Sequence, residues 1–82
     1  MILHFDLYGE LEPLGEGGRI ALPLEHRPAT VAEALALLAE HCPPLQPRLG
    51  RCAVVWDTEV LLRSAPLPAT DQLALLPPVA GG

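Results

Sequence analysis

Residues 75–82 read Leu-Leu-Pro-Pro-Val-Ala-Gly-Gly, and the reading of this stretch governs everything before it. An apolar strand-like run, Gln72 to Leu76, meets Pro77 and Pro78. Proline lacks a backbone N–H and holds φ near −65°, so the pair cannot continue a central ladder. The chain must peel off the sheet there as a stiff, extended segment. Gly81 and Gly82 carry no side chain, and their backbone can enter a channel too narrow for any other residue. Two end glycines alone would read as a frayed tail. Preceded by a strand and by Pro-Pro-Val, they read as a tail made for insertion, with the Gly82 carboxylate at its tip.

The clearest helix lies further back. Thr30-Val31-Ala32-Glu33 has the form of a capping box, in which the hydroxyl satisfies an early N–H and Glu33 reaches back. Val31, Ala34, Leu35 and Leu38 recur at i, i+3, i+4 and i+7 and make one apolar stripe. Pro43 and Pro44 forbid continuation, so the helix ends near Cys42. Such a stripe needs one sheet face to cover it.

Four further stretches supply that sheet. Ile2 to Tyr8 alternates, with Leu3, Phe5 and Leu7 on one face and His4 and Asp6 on the other. Gly9 to Gly18 is a turn-rich connection, and Arg19 to Leu24 alternates again with Ile20, Leu22 and Leu24 inward. These two strands form an antiparallel hairpin. Leu45 to Gly50 reads as a loop. Arg51 to Trp56 is a short buried-type strand, Asp57-Thr58-Glu59 a turn, and Val60 to Leu62 a brief strand. The order is strand, strand, helix, strand, short strand, strand. A single helix on one face of a mixed sheet is the simplest two-layer solution, an α+β architecture. The last strand would be central and parallel to the first, across a connection long enough for a crossover.

Composition bounds what such a domain can do. Eighty-two residues give one modest core, and with half of them hydrophobic but only 4% aromatic it must be built from Leu, Val and Ala. No apolar run approaches a membrane span, and MILHFDLYGE does not have the basic start of a signal peptide. The expected location is therefore the cytoplasm. A net charge of −5 argues against nucleic acid as a partner and favours a partner with a basic docking surface. Every basic residue is arginine, and the chain contains no lysine. An activated C-terminal acyl group could not be lost to a side-chain amine on the same molecule.

A self-contained active site is not evident. His4, His26 and His41 are scattered without a ligand spacing, so no metal site is expected. His26 reads as a solvated loop residue, and His41 suits the dipole of the last helical turn. The glycine-rich EGEGGR lacks the lysine and hydroxyl residue of a phosphate loop. Cys42 and Cys52 have neither zinc nor redox spacing and read as buried or half-buried free thiols. Trp56 is core or a partly exposed contact.

The tail, the N-terminal strand, the TVAEALALL helix and the VVWDTEV hairpin together make the chain resemble the ubiquitin-like sulfur carriers, most of all the small subunit of molybdopterin synthase. Pro77-Pro78 favours that group over the thiamin-pathway carrier. Two positions depart from its pattern: Asp57 stands where Asn is usual, and Ala69-Thr70-Asp71 replaces an Asp-Gly-Asp turn. The resemblance implies the β-grasp fold of ubiquitin, with a domain over 1–76 and a tail over 77–82. It implies that Gly82 is adenylated by an ATP-dependent activating enzyme and takes sulfur from a persulfide donor to become a thiocarboxylate. The tail would insert into the large catalytic subunit, which transfers sulfur to a cyclic pyranopterin precursor of the molybdenum or tungsten cofactor. Gly81 and Gly82 would admit the tail, Val79 anchor it, and Pro78 and Pro77 stiffen it, with Ala80 among the inserted residues. No cofactor would be bound, ATP being used by the activating partner. The interface would be the tail plus an apolar, non-helical face of the sheet. Two readings stay open beside this one: a carrier for another acceptor (thiamin, cysteine, a tRNA base, or a protein to be modified), and a β-grasp binding module without terminal chemistry.

Overall fold

The alternation at the N-terminus becomes β1 (Ile2–Leu7), which buries Leu3, Phe5 and Leu7 and turns His4 and Asp6 to the opposite face. The computed structural model describes residues 1–78; the expectations for Val79, Ala80, Gly81 and Gly82 lie outside the described residues. The remaining strands are β2 (Arg19–Pro23), β3 (Ala53–Trp56), β4 (Glu59–Leu61) and β5 (Gln72–Leu76). The main helix is α1 (Val31–His41) and a single turn, α2 (Gln46–Leu49), follows it. The strands form one mixed sheet in the order β2-β1-β5-β3-β4.

The β1–β2 pair is antiparallel, as the alternation implied, with Phe5 opposite Ile20 and Leu3 opposite Leu22. Strand β5 is central and runs parallel to β1, Phe5 facing Leu73 and Leu7 facing Leu75. Its other neighbour, β3, is antiparallel and sets Val54 opposite Leu75. Every one of these paired side chains is buried. The stripe Val31, Ala34, Leu35 and Leu38 is likewise buried, so α1 closes the core from one side only.

Cap chemistry explains why α1 starts where it does. The Glu33 N–H donates to Thr30 Oγ1 at 3.2 Å, and Glu33 Oε2 accepts the Ala29 N–H at 2.7 Å. The return bond thus lands one residue before the Thr30 N–H of a standard capping box. The Val31 and Ala32 N–H groups donate to the carbonyls of Ala65 and Arg63, and Ala34 donates to the Thr30 carbonyl. Of the N–H groups that a helix start leaves without an internal partner, those of Val31, Ala32 and Glu33 are therefore satisfied, and the Ala34 bond is the first of the regular helical ladder.

Two expected loops turn out to hold helical turns. Within Gly9 to Gly18, residues Gly9–Leu14 form a 3-10 helix that buries Leu11 completely. Within Leu45 to Gly50, a 3-10 turn at Pro43–Leu45 runs into α2, burying Leu45 and Leu49. Pro43 and Pro44 do end α1, but they also open the next turn. Proline's fixed φ is helical, and its missing N–H is one that a first turn leaves unpaired anyway.

The strand limits shift slightly for a similar local reason. Strand β3 starts at Ala53, not Arg51, because the N–H groups of Arg51 and Cys52 donate back to the carbonyls of Arg48 and Leu49. Strand β4 is Glu59–Leu61, since Trp56 pairs with Glu59 and leaves Asp57-Thr58 as a two-residue turn. Asp57 adopts φ 60°, which Asp tolerates nearly as well as Asn, so that departure is mild. At Ala69-Thr70-Asp71, the turn is organised by Thr70. Its Oγ1 accepts the Gln72 N–H at 3.1 Å, while the Arg27 guanidinium donates to the carbonyls of Pro68 and Thr70.

Candidate functional site

The site is built where β5 ends. Leu75 is fully buried, and its carbonyl accepts the Tyr8 N–H at 3.3 Å, while Leu76 still pairs with Ala53 on β3. Leu76 points to the other face and is 39% exposed. Pro77 is half-buried and packs on Gly9, where an added Cβ would sit 3.0 Å from the proline Cγ. Gly9 also holds φ +57°, so both its conformation and its small size are needed at the tail root. Pro78 is exposed. Of the residues expected to act in the tail, Pro77 and Pro78 are the two that lie among the described residues.

The sheet face away from α1 is open, and register decides what it displays. Near the tail root, Ala53 lies beside Leu76 and Val55 lies between Ala74 and Val60. Val60 is 69% exposed, and Leu62, just past β4, is also exposed. This makes an apolar patch continuous with the tail. The expected apolar, non-helical face is present, and its members follow from pairing that single strands do not reveal.

Across the same face the surface turns polar. Arg19 Nε donates to Asp6 Oδ1 at 2.8 Å and Gln72 Nε2 donates to Asp6 Oδ2 at 2.6 Å, linking β2, β1 and β5 through one carboxylate. Burial alone would raise the Asp6 pKa. The hydrogen bonds from Gln72 and Arg19, with the charges of Arg19 and His4, outweigh it and hold the carboxyl below its ordinary value. A depressed folded-state pKa gives stability that is present above the unfolded carboxylate pKa and lost as pH falls through the folded value. We therefore expect Asp6→Asn to lower stability at pH 7 by about 1 kcal/mol or less, since the pair is partly solvated. The difference from the parent should shrink as pH falls below the unfolded carboxylate range and through the lower folded-state value, as read by urea unfolding at pH 7 and in acid. An equal difference at both would assign the loss to packing instead.

The remaining candidates behave as ordinary structural residues. Cys42 is half-buried and Cys52 buried, and both are free thiols. His26 and His41 are exposed. Trp56 packs partly buried against the core. Among the described residues, no three His, Cys, Asp or Glu side chains gather as a metal centre would require. No helix among them is long and apolar enough to cross a membrane.

A five-stranded mixed sheet grasping one helix, with a proline-stiffened tail leaving the central strand beside an apolar face, defines a ubiquitin-like β-grasp protein. Family comparison is more specific: residues 6–82 match the ThiS family, and the chain belongs to it. Comparison with curated proteins finds no match. Among solved structures, it is similar to small archaeal modifier protein 1 of Haloferax volcanii, with 26% identity and a TM-score of 0.77 over 100% of both chains. A second structure of that protein gives 24% identity and a TM-score of 0.76 over 95% of this chain and 98% of the other, a likeness of fold. It is also similar to a chain of the complex of subunits 1 and 2 of the molybdopterin-converting factor from Helicobacter pylori. There the identity is 25% and the TM-score 0.63 over 100% of both chains.

Proposed function

We propose that this chain is the sulfur-carrier subunit of molybdopterin synthase, with domain 1–76 presenting tail 77–82 to its partners. The observation that carries the reading is the Pro-Pro-Val-Ala-Gly-Gly tail, leaving a central strand beside an exposed apolar patch. The likeness to the converting-factor complex supports a larger catalytic subunit as the acceptor of the tail.

A carboxylate is a poor electrophile, so the chemistry begins in the activating partner. A Gly82 oxygen attacks the α-phosphate of ATP and expels pyrophosphate, giving an acyl-adenylate. A persulfide sulfur attacks the acyl carbon and AMP leaves with the bonding electrons. A thiol then cleaves the resulting S–S bond, releasing a disulfide and leaving the thiocarboxylate. The tail next enters the large subunit, whose groups supply the acids and bases that transfer sulfur to the pyranopterin precursor. In this scheme the carrier itself is a reagent and binds no cofactor. Its own contribution is reach, stiffness and docking: the prolines reduce the entropy lost on insertion, and the patch around Val60 and Leu76 is covered by the partner.

A second reading has its own support. The higher structural similarity is to an archaeal modifier protein, which favours activation by the same route but delivery to another acceptor, such as a protein amine. Intact mass after incubation with ATP, an adenylating enzyme and a persulfide donor tests the shared chemistry. The expected result is a gain of sulfur for oxygen, mapped to the C-terminal peptide. No gain, with the enzyme competent on another carrier, would overturn both readings. Tight binding to the large synthase subunit then separates them.

A further inference from the structure

Charge at the tail root runs against that of the rest of the molecule. The chain has a net charge of −5 and five basic residues, all arginine. Two of them, Arg48 and Arg51, line a surface pocket of about 220 Å³ together with Glu10, Pro47, Pro77 and Pro78. Backbone geometry sets the pair side by side. The Arg51 N–H donates to the Arg48 carbonyl at 3.2 Å, in the turn that leads from α2 to β3. Two cations thus share the pocket with one carboxylate, and it is locally positive in an acidic protein.

The arginines differ in what already occupies them. Arg19, Arg27 and Arg63 bond a carboxylate or backbone carbonyls elsewhere. Arg48 Nη1 donates to Glu10 Oε1 at 3.2 Å, an exposed pair of little intrinsic strength. Arg51 is exposed, and its guanidinium meets no partner among the described residues. A guanidinium presents its N–H donors as a planar fork that matches a carboxylate. Glu10 satisfies part of one fork and leaves the other open.

Size and charge narrow the occupant. Small-molecule pockets usually enclose about 300–1,000 Å³, and this one is smaller, with room for one side chain. A phosphate dianion would meet Glu10 at close range, and a polyanion would be repelled by the acidic chain as a whole. A single carboxylate avoids both penalties and suits the open fork. Pro77 and Pro78 give the pocket a stiff wall, and Pro77 is seated on Gly9, so the site loses little freedom when filled. That wall follows directly on Leu76 and its apolar patch. A protein that covers the patch and takes the tail therefore borders the pocket as well.

We infer that the Glu10–Arg48–Arg51 pocket recognises an aspartate or glutamate of the large catalytic subunit, held by Arg51 and shared by Arg48. This rests on the proposed role as a synthase carrier and names what the partner brings to the tail root. Overall charge favours a basic docking surface, and this corner is its local exception. Arg51 is a positioning residue: it fixes how the domain sits on the partner.

Titration calorimetry of the full chain against the large subunit tests this. A parent chain that does not bind at all would sink the synthase reading, and the inference with it. Once parent binding is measured, Arg51→Gln is expected to weaken it by about tenfold or more through lost charge-assisted bonds, with the urea midpoint unmoved. Ala36→Glu makes the same change in net charge on the exposed side of α1, outside the pocket, and should weaken binding by less than about twofold. Glu10→Gln frees the Arg48 fork and should tighten binding. Inorganic phosphate titrated into the parent chain alone should give no binding heat. Arg51→Gln binding like the parent would overturn the inference, as would an equal loss in Ala36→Glu or weaker binding by Glu10→Gln. Saturable phosphate binding that Arg51→Gln removes would overturn the assignment to a protein carboxylate.

Discussion

Deleting Gly82, or replacing Gly81 with valine, is expected to abolish sulfur transfer while leaving the unfolding transition in place. The buried core closes with Leu75 on β5, and the exposed Leu76 ends that strand. Substitutions away from packed positions usually alter stability by no more than about 0.5 kcal/mol, and that is the effect expected of both changes. Function depends on the same positions in another way. Without Gly82, the acyl carbon lies one residue short of the attacking sulfur. On the proposed reading, valine at 81 would bring a β-branched side chain into a partner channel that admits backbone alone. A misplacement of about 1 Å at a reacting centre lowers rates by about 100-fold, and either change displaces the carbon further than that. Thiocarboxylate yield and sulfur transfer, measured beside a urea melt, decide the matter. Retained transfer would remove the tail from the mechanism; a shifted melt would tie those glycines to the fold.

The second large effect lies in the core. Phe5 is the only phenylalanine, is fully buried, and sits on β1 between Ile20 on β2 and Leu73 on β5. Phe5→Ala is expected to remove about 3–5 kcal/mol through lost burial and an incompletely filled cavity. A chain of this length has roughly 4–12 kcal/mol in total, at about 0.05–0.15 kcal/mol per residue. The variant should therefore lose from about a quarter to all of its folding free energy, read as a large fall of the urea midpoint. Leu37→Ala, on the open side of α1, provides the contrast and should shift it little. Because Phe5 helps fix β5 against β1, the Phe5 variant should also lose activation of Gly82. An adenylated, well-behaved Phe5→Ala chain would show that tail presentation does not need the sheet.

Much of this architecture is legible in the residues because it is periodic or punctuated. The limits of β5 are marked by Gln72 on one side and Pro77 on the other, and α1 by Thr30 and the Pro43-Pro44 pair. The structure follows both. The 3-10 helix at Gly9–Leu14 and the turns from Pro43 to Leu49 escape such a reading for a physical reason. A helical turn of three to six residues is too short to display a period, and its prolines and glycines read as interruptions. Only tertiary burial of Leu11, Leu45 and Leu49 makes those turns stable. The open face escapes for a different reason. That Leu76 meets Ala53, and Val60 meets Val55, depends on the register of strands distant in sequence. The need for Gly9 beneath Pro77 is equally non-local, since the two are brought together only by the parallel ladder.

The position of β5 has a mechanical consequence. It is flanked on both sides, by β1 in parallel and β3 antiparallel, and Pro77 follows directly on its last residue. Tension on the tail therefore loads both ladders in shear, with several hydrogen bonds sharing the force at once. An edge strand such as β2 or β4 would instead unzip one bond after another. A partner that grips the tail, or releases it slowly, can pull hard without unravelling the domain behind it. On the proposed reading, a spent carrier would be withdrawn folded and ready for another round.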